Sequence, residues 1–202
     1  MASPEEIGQF RPISLCNVIY KIASKVLANR LKVFLSEIIS EEQSTFVPSR
    51  LITDNIISAY ECLHFMKRKQ TTDLRCCALK LDMKNAYDRV KWVYLDAIMR
   101  RLGFHHHWVD TIMRFVRSVS FSALFNGDKL ETFRPTRGIR QGDSFSPYSF
   151  LLAVEGLLCL LKSRIQSSDK GITVASSAPM VSHLLFADDS LLFFEQIGRM
   201  LC

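Results

Sequence analysis

Apolar positions along the chain follow two periods, one helical and one alternating. Helical spacing predicts five helices, near residues 17–38, 54–69, 92–102, 105–116 and 146–165, with N-caps at Asn17, Asp54 and Ser146 and a stop at Gly103. The last helix is apolar on nearly every side and is therefore expected to be buried. Alternation predicts strands at 76–82 and 119–125, the latter turning at Asn126-Gly127 into a return strand over Leu130–Phe133. A further short strand is predicted at Gly171–Val174. Helices and strands mixed without strict βαβ repetition predict the α+β class with an antiparallel sheet.

The stretch from His183 to Phe194 places two acids, Asp188 and Asp189, between two runs of large apolar residues. This pattern predicts a hairpin with buried arms and both carboxylates at its tip. Adjacent like charges repel, and a divalent cation such as Mg²⁺ would relieve the repulsion. Because Asp is also common in solvated turns, the pair alone favours an ordinary turn.

A second acid lies at the end of the predicted strand 76–82. Alternation places Lys80 and Asp82 on one face, with Leu79 and Leu81 on the other. The strand, including its adjacent cysteines 76 and 77, is expected to be buried. Asp82 would then stand at a strand end that could adjoin the acidic hairpin.

These segments together resemble the palm of a reverse transcriptase. The resemblance rests on Asp82 with Ala86-Tyr87, then Arg140-Gln141-Gly142-Asp143, then Phe186-Ala187-Asp188-Asp189, in the family's order and spacing. Stretches at 11–15 (RPISL) and 51–55 (LITDN) make it most similar to plant non-LTR (LINE-type) retrotransposons. The resemblance implies a right-hand polymerase palm, with partial fingers over residues 1–74, a palm core over 75–202, and no thumb.

The resemblance also implies the reaction, which is RNA-directed DNA synthesis by nucleotidyl transfer. In the family, the residues matching Asp82 and Asp188 are the main ligands of two Mg²⁺ ions, which Mn²⁺ can replace, and the residue matching Asp189 assists. Two such ions, about 4 Å apart, clamp the attacking and leaving oxygens. The implied partners are an RNA template, a DNA primer and dNTPs.

Five further residues match substrate-binding positions of the family. Tyr87 matches the steric gate that excludes a 2′-hydroxyl, although core packing would also explain a tyrosine there. Arg11 matches the arginine that contacts the triphosphate, against the alternative of a surface arginine. Gln141 and Gly142 match the loop near the incoming nucleotide, and Phe186 matches the position beside the primer end.

Two departures from the family pattern weaken the expectation of activity. Ser144-Phe145 follows Asp143 where Pro-Leu is usual, and Ser49 stands where glycine is normal. No thumb, endonuclease or RNase H region is recognised, so the chain is expected to be weak or inactive. The alternatives are a catalytically silent remnant that at most binds nucleic acid and, fitting less well, a group II intron maturase.

Composition narrows the class of protein without deciding its function. The chain has 202 residues, 48% of them hydrophobic, and a net charge of +6, which suits nucleic-acid binding and an ordinary basic protein equally. The polar, acidic start is not a secretory signal, and Glu155 interrupts the longest apolar run, so a membrane is not expected. Six cysteines without metal-finger spacing favour a reduced, intracellular protein of the nucleus or cytoplasm, with the oligomeric state open.

Overall fold

The computed structural model describes residues 14–69, 75–166 and 171–196. Arg11, the predicted triphosphate ligand, lies outside these ranges. The chain divides into two compact units, one made of residues 1–31 and 87–150 and the other of residues 32–86 and 151–202. These units do not follow the predicted division into fingers and palm at residue 74, which stays a prediction.

The first unit contains α1 (Val18–Lys32), α5 (Trp92–Arg101), α6 (His106–Arg117), β2 (Leu124–Phe125), β3 (Asp128–Lys129) and the start of α7 (Ser146–Gln166). Helix α1 is capped as predicted, since Tyr20 N donates to Asn17 Oδ1 at 2.7 Å. Its predicted extent was wrong, because α1 stops at Lys32 and α2 (Leu35–Ile38) forms a separate turn.

The first part of the predicted apolar stripe of α1 is exposed. Ile19, Ile22 and Val26 face solvent, whereas Ser24, Ala28 and Leu31 are buried. The buried face therefore consists of small residues together with Leu31, and periodicity could not identify it because the larger side chains lie on the opposite side.

The other helices and the hairpin turn of this unit follow the sequence closely, whereas its strands do not. Helix α5 ends before Gly103, whose φ of 86° only glycine adopts readily. The Asn126-Gly127 turn has positive φ at both residues, as a type I′ hairpin requires. Both strands of this hairpin are shorter than predicted. The strand expected over 119–125 is reduced to β2 (Leu124–Phe125), and the return strand β3 (Asp128–Lys129) lies earlier than expected, with Phe133 only bridging back to Phe121.

The second unit is built on a three-stranded antiparallel sheet in the order β1-β5-β4. Its strands are β1 (Arg75–Asp82), β4 (His183–Phe186) and β5 (Asp189–Gln196), and α3 (Ile52–Lys69) packs on β1 and β4. Cys62 of α3, Phe193 of β5 and Ile172 form the centre of a buried cluster. Helices packed on an antiparallel sheet confirm the predicted α+β class.

Several local predictions in this unit were wrong. Helix α3 begins at Ile52, so Asp54 lies in its first turn and does not cap it. Gly171–Val174 forms no strand; Ile172 makes a single bridge to Val181. Cys76 and Ala78 of β1 pack against the buried cluster, and the opposite face of the strand, with Cys77, Leu79 and Leu81, is exposed although burial was expected.

Helix α4 (Ala86–Arg89) follows β1, and α7 (Ser146–Gln166) runs through both units. The first half of α7 is buried as predicted, but Leu157 and Leu160 beyond it are exposed. Within the described ranges, no helix combines the length and apolarity needed to cross a bilayer.

Candidate active site

The acidic hairpin closes with a two-residue turn, because Phe186 of β4 pairs directly with Asp189 of β5. Ala187 and Asp188 form that turn, and Ala187 has a φ of 54°, which is unusual for a residue with a Cβ. The turn therefore lies one residue earlier than predicted. Asp188 is at the tip, and Asp189 is the first residue of β5.

Strand β1 brings the third acid to the same end of the sheet. In the antiparallel register Asp82 lies directly opposite Asp189, and Met83 N donates to the Asp188 carbonyl oxygen at 3.4 Å. Directly opposed residues project from the same face of an antiparallel pair, with Cβ atoms about 4.5–5.5 Å apart. Asp82 and Asp189 thus share a face, with Asp188 in the adjoining turn.

One cation compensates part of this charge. Lys80 Nζ lies 3.2 Å from Asp189 Oδ1, with the lysine side chain largely and the aspartate side chain partly exposed. Among the described residues, the carboxylates of Asp82 and Asp188 have neither an ion-pair nor a hydrogen-bond partner. Three carboxylates and one ammonium leave an excess of two negative charges at this strand end.

A loop before α3 supports the hairpin from the β4 side. Leu185 N donates to the Glu42 carbonyl oxygen at 2.9 Å, and Gln43 forms a parallel bridge with Leu185. Asn55 Nδ2 donates to the carbonyl oxygens of both Glu42 (3.1 Å) and Leu185 (2.9 Å). The loop and β4 are therefore joined by backbone and side-chain hydrogen bonds.

Arg50 organises the same loop. Its guanidinium donates to four backbone carbonyl oxygens, those of Ser36, Ile39, Ser40 and Gln43, at 2.6–3.3 Å. The preceding residue, Ser49, has a φ of 65°, which explains why glycine is normal in the family. The departure at Ser49 is visible in the sequence, whereas the role of Arg50 in holding the loop is seen only in the structure.

In the first unit, the loop carrying Gln141 and Gly142 is tied to its surroundings through the backbone. Ser14 N donates to the Gln141 carbonyl oxygen at 3.2 Å, and Gly142 has a φ of 90°. Gly138 N donates to the Val90 carbonyl oxygen at 2.8 Å, and a Cβ at Gly138 would lie 3.2 Å from Asp88 Cα. Glycine is needed at this close approach.

Neighbouring side chains of this unit line a cavity of about 720 Å³. The Arg140 guanidinium lies 4.0 Å from the centre of the Tyr20 ring, and its Nη1 donates to Cys16 Sγ at 3.0 Å. Burial, followed by the nearby Asp143 carboxylate, raises the pKa of the Tyr20 hydroxyl. The cavity therefore combines aromatic walls with two arginines, Arg137 and Arg140, and two aspartates, Asp88 and Asp143.

Asp143 is buried and accepts hydrogen bonds from Ser24 Oγ and, at 3.3 Å, from Ser146 Oγ. Ser24 Oγ in turn accepts from Phe145 N at 3.0 Å. Ser146 was predicted to cap α7, but it is the first helical residue and its hydroxyl donates to Asp143. Phe145, one of the two departures after Asp143, is fully buried.

Tyr87 is half-buried, and its ring stacks on Phe150 with centroids 5.0 Å apart and an interplanar angle of 12°. This contact shows that Tyr87 packs against its own unit, as the alternative interpretation required. Phe186 is exposed at the end of β4. The substrate-binding roles of Tyr87, Gln141, Gly142 and Phe186 stay predictions.

Comparison with known proteins identifies the family. The model of the family Reverse transcriptase (RNA-dependent DNA polymerase) matches residues 3–201, nearly the whole chain. The chain belongs to the reverse transcriptase family.

Two curated relatives of this chain are proteins of mobile elements. It is 32% identical over 95% of its length to the Transposon TX1 uncharacterized 149 kDa protein of Xenopus laevis, covering 14% of that protein. It is 29% identical over 92% of its length to the Pol polyprotein of the type-2 retrotransposable element R2DM of Drosophila melanogaster, covering 16% of it. The chain thus spans about one-seventh of these two relatives. They confirm the non-LTR retrotransposon assignment, whereas the plant origin stays a prediction.

Solved structures support the fold. An apo telomerase from Candida tropicalis, truncated from its C-terminal domain, superposes with a TM-score of 0.56 at 12% identity, over 87% of this chain and 34% of that one. A Candida albicans telomerase in complex with a TWJ fragment of telomeric RNA gives 0.55 at 14% identity, over 88% and 30%. The predicted palm-like fold is confirmed by this similarity.

The donor set at this strand end suits a hard divalent cation. Asp82 and Asp188 offer carboxylate oxygens without a competing cation, and oxygen is the ligand that Mg²⁺ prefers. In the described ranges, no group of three or more His, Cys, Asp or Glu side chains is arranged to hold a metal ion by itself. Cations at this site would therefore depend on ligands besides these side chains, and Mg²⁺ normally retains water or phosphate oxygens.

Proposed function

We propose that this domain catalyses RNA-templated DNA synthesis, transferring a nucleotide from a dNTP to the 3′-hydroxyl of a primer. The observation that carries the proposal is the register that sets Asp82 opposite Asp189, with Asp188 in the adjoining turn. Membership of the reverse transcriptase family and the mobile-element relatives support it.

Asp82 and Asp188 would hold the cations in this proposal, and Asp189 would assist. Mg²⁺ ions, or Mn²⁺ in their place, would activate the attacking hydroxyl and stabilise charge on the leaving phosphate. The ion pair of Asp189 with Lys80 supports this division of roles, because it leaves Asp189 less free to bind a cation. The protein's own contribution is to hold two uncompensated carboxylates at adjacent strand ends.

The proposed substrates are an RNA template, a DNA primer and dNTPs. The Candida albicans telomerase of similar fold was solved with telomeric RNA, and the charge of +6 is compatible with an anionic partner. In the proposal Arg11, Gln141 and Gly142 contact the nucleotide, Phe186 lies beside the primer end, and Tyr87 excludes the 2′-hydroxyl. The proposed DNA synthesis would take place inside the cell, in the nucleus or cytoplasm.

A catalytically silent domain that binds nucleic acid is the second candidate. The observation that favours it is Ser49, which holds a left-handed backbone conformation that glycine normally supplies. A strained loop beside the hairpin is expected in a copy no longer selected for activity.

The test is single-nucleotide addition to a primer on an RNA template with Mg²⁺ or Mn²⁺. Asp82→Asn and Asp188→Asn are compared with Asp128→Asn, which removes the same charge from the exposed strand β3. We expect weak addition by the natural chain and by the Asp128 variant, and a loss of at least about 100-fold in the other two. Activity that survives in all variants would overturn the site, and no activity in the natural chain would favour the silent candidate.

A further inference from the structure

The acidic turn has one side-chain support from outside the hairpin, which the proposed chemistry does not use. Ala187 N, in the turn itself, donates to the side-chain oxygen of Gln43 at 3.3 Å. We propose that Gln43 is a positioning residue that sets the conformation of the Ala187-Asp188 turn and thereby the place of the Asp188 carboxylate. This inference rests on the proposed function, because it assigns Gln43 a role in cation binding.

Gln43 is well placed to hold a position rigidly. Gln43 is only 1% exposed. Its backbone N–H donates to the Ser40 carbonyl oxygen at 3.1 Å, and its backbone forms a bridge with Leu185 of β4. Asn55 and Arg50 hold the loop by donating to the backbone carbonyl oxygens of Glu42 and of Gln43 itself, respectively. The carboxamide therefore extends from a loop that is itself hydrogen-bonded to the hairpin.

The acceptor half of the carboxamide makes the described contacts. Gln43 Oε1 accepts from Ala187 N and also from Thr45 N at 3.1 Å. Gln43 Nε2 is buried and has no hydrogen-bond partner within the described part of the chain. A replacement at Gln43 that keeps an oxygen acceptor should therefore preserve the hydrogen bond to Ala187 N, whereas an apolar replacement should remove it.

Ala187 needs such support for two reasons. In a two-residue hairpin its N–H lies outside the strand ladder, and a partly buried N–H without an acceptor is unfavourable. Its φ of 54° is also a conformation that residues with a Cβ keep only when their surroundings enforce it. Without the Gln43 oxygen the turn can adopt other conformations, and Asp188, the next residue, would move relative to Asp82.

The experiment measures the Kd for Mn²⁺ by electron paramagnetic resonance, at a temperature where circular dichroism shows every variant folded. Gln43→Met keeps the length of the side chain but removes the acceptor, and Gln43→Glu keeps an acceptor oxygen. Cys62→Ala is the matched control, because Cys62 is equally buried in the same unit but belongs to the core cluster under the sheet. Asp188→Asn reports on the site itself.

We expect Gln43→Met to raise the Kd for Mn²⁺ about 3–10-fold, somewhat below the effect usual for a group bonded directly to a metal ligand. Gln43→Glu should bind within about twofold of the natural chain or more tightly, and Cys62→Ala should be unchanged. If Gln43→Met does not fold, Gln43→Asn carries the same test, because its carboxamide is one methylene too short to reach Ala187.

The two failures are distinguishable. An unchanged Kd in Gln43→Met, or a rise matched by Cys62→Ala, would overturn the positioning role while Asp188→Asn still weakens binding. If Asp188→Asn binds Mn²⁺ as well as the natural chain does, the proposed metal site itself is wrong.

Discussion

Replacing Asp82 with Asn should stabilise the cation-free protein and at the same time remove its stabilisation by Mg²⁺. Asp82 lies directly opposite Asp189 in the β1–β5 register and has no counter-ion among the described residues. The substitution keeps the shape of the side chain but removes one of the opposed charges. An acid with no role in cation binding would show the first effect but not the second, so the response to Mg²⁺ distinguishes the two roles.

The size of the effect follows from the register. Two unit charges about 5 Å apart repel by roughly 0.8 kcal/mol in water, and Asp82 is exposed, so the value for water applies. Physiological salt and Lys80 reduce the repulsion to about 0.5 kcal/mol. For a domain of this size that corresponds to a rise of about 1–2 °C in Tm. A cation at ten times its Kd should stabilise the natural chain by about 1.4 kcal/mol, or about 3–6 °C.

The assay is thermal unfolding followed by circular dichroism, with and without Mg²⁺ at constant ionic strength. Asp128→Asn is the control for the change in net charge, and its response to Mg²⁺ should equal that of the natural chain. A lower Tm for Asp82→Asn without cation, or an undiminished response to Mg²⁺, would refute the reasoning.

Three further predictions concern single residues. Ser49→Gly should raise the free energy of unfolding by up to about 1 kcal/mol because it relieves a φ of 65°, whereas Ser49→Ala should not; equal stabilities in urea unfolding would contradict this. Tyr87→Val should relax the preference for dNTPs over rNTPs, compared on one primer, while Tyr87→Phe keeps the ring stacked on Phe150; an unaltered preference in the valine variant would mean that the ring only packs. Burial lowers the pKa of His183, and the nearby Glu42 carboxylate opposes this shift in part. The His183 imidazole is therefore protonated at a higher pH in the unfolded chain than in the folded chain. Stability should therefore fall as pH drops below about 6.5, and His183→Gln should flatten the dependence of urea midpoints on pH; an equally steep dependence in that variant would refute it.

The local pattern of residues was sufficient for the parts of the site that depend on neighbours in sequence. Strand β1 ends at Asp82 as alternation predicted, and apolar runs flanking two acids correctly indicated the β4–β5 hairpin. Asn126-Gly127 and Gly103 were equally informative, because positive φ is a property of the residue and its immediate turn. The resemblance to reverse transcriptases extended these local signals to the family.

Tertiary structure decided which faces are buried and what holds the acids in place. The large apolar residues of α1, and of α3, where Ile56, Ile57 and Tyr60 are exposed, predicted the wrong faces. A helix with apolar residues on two sides does not reveal which side meets the core. The pairing of Asp82 with Asp189 depends on strand order, which no local pattern contains. The support of the turn by Gln43 joins residues 144 positions apart, and such a contact exists only after the loop has docked on β4.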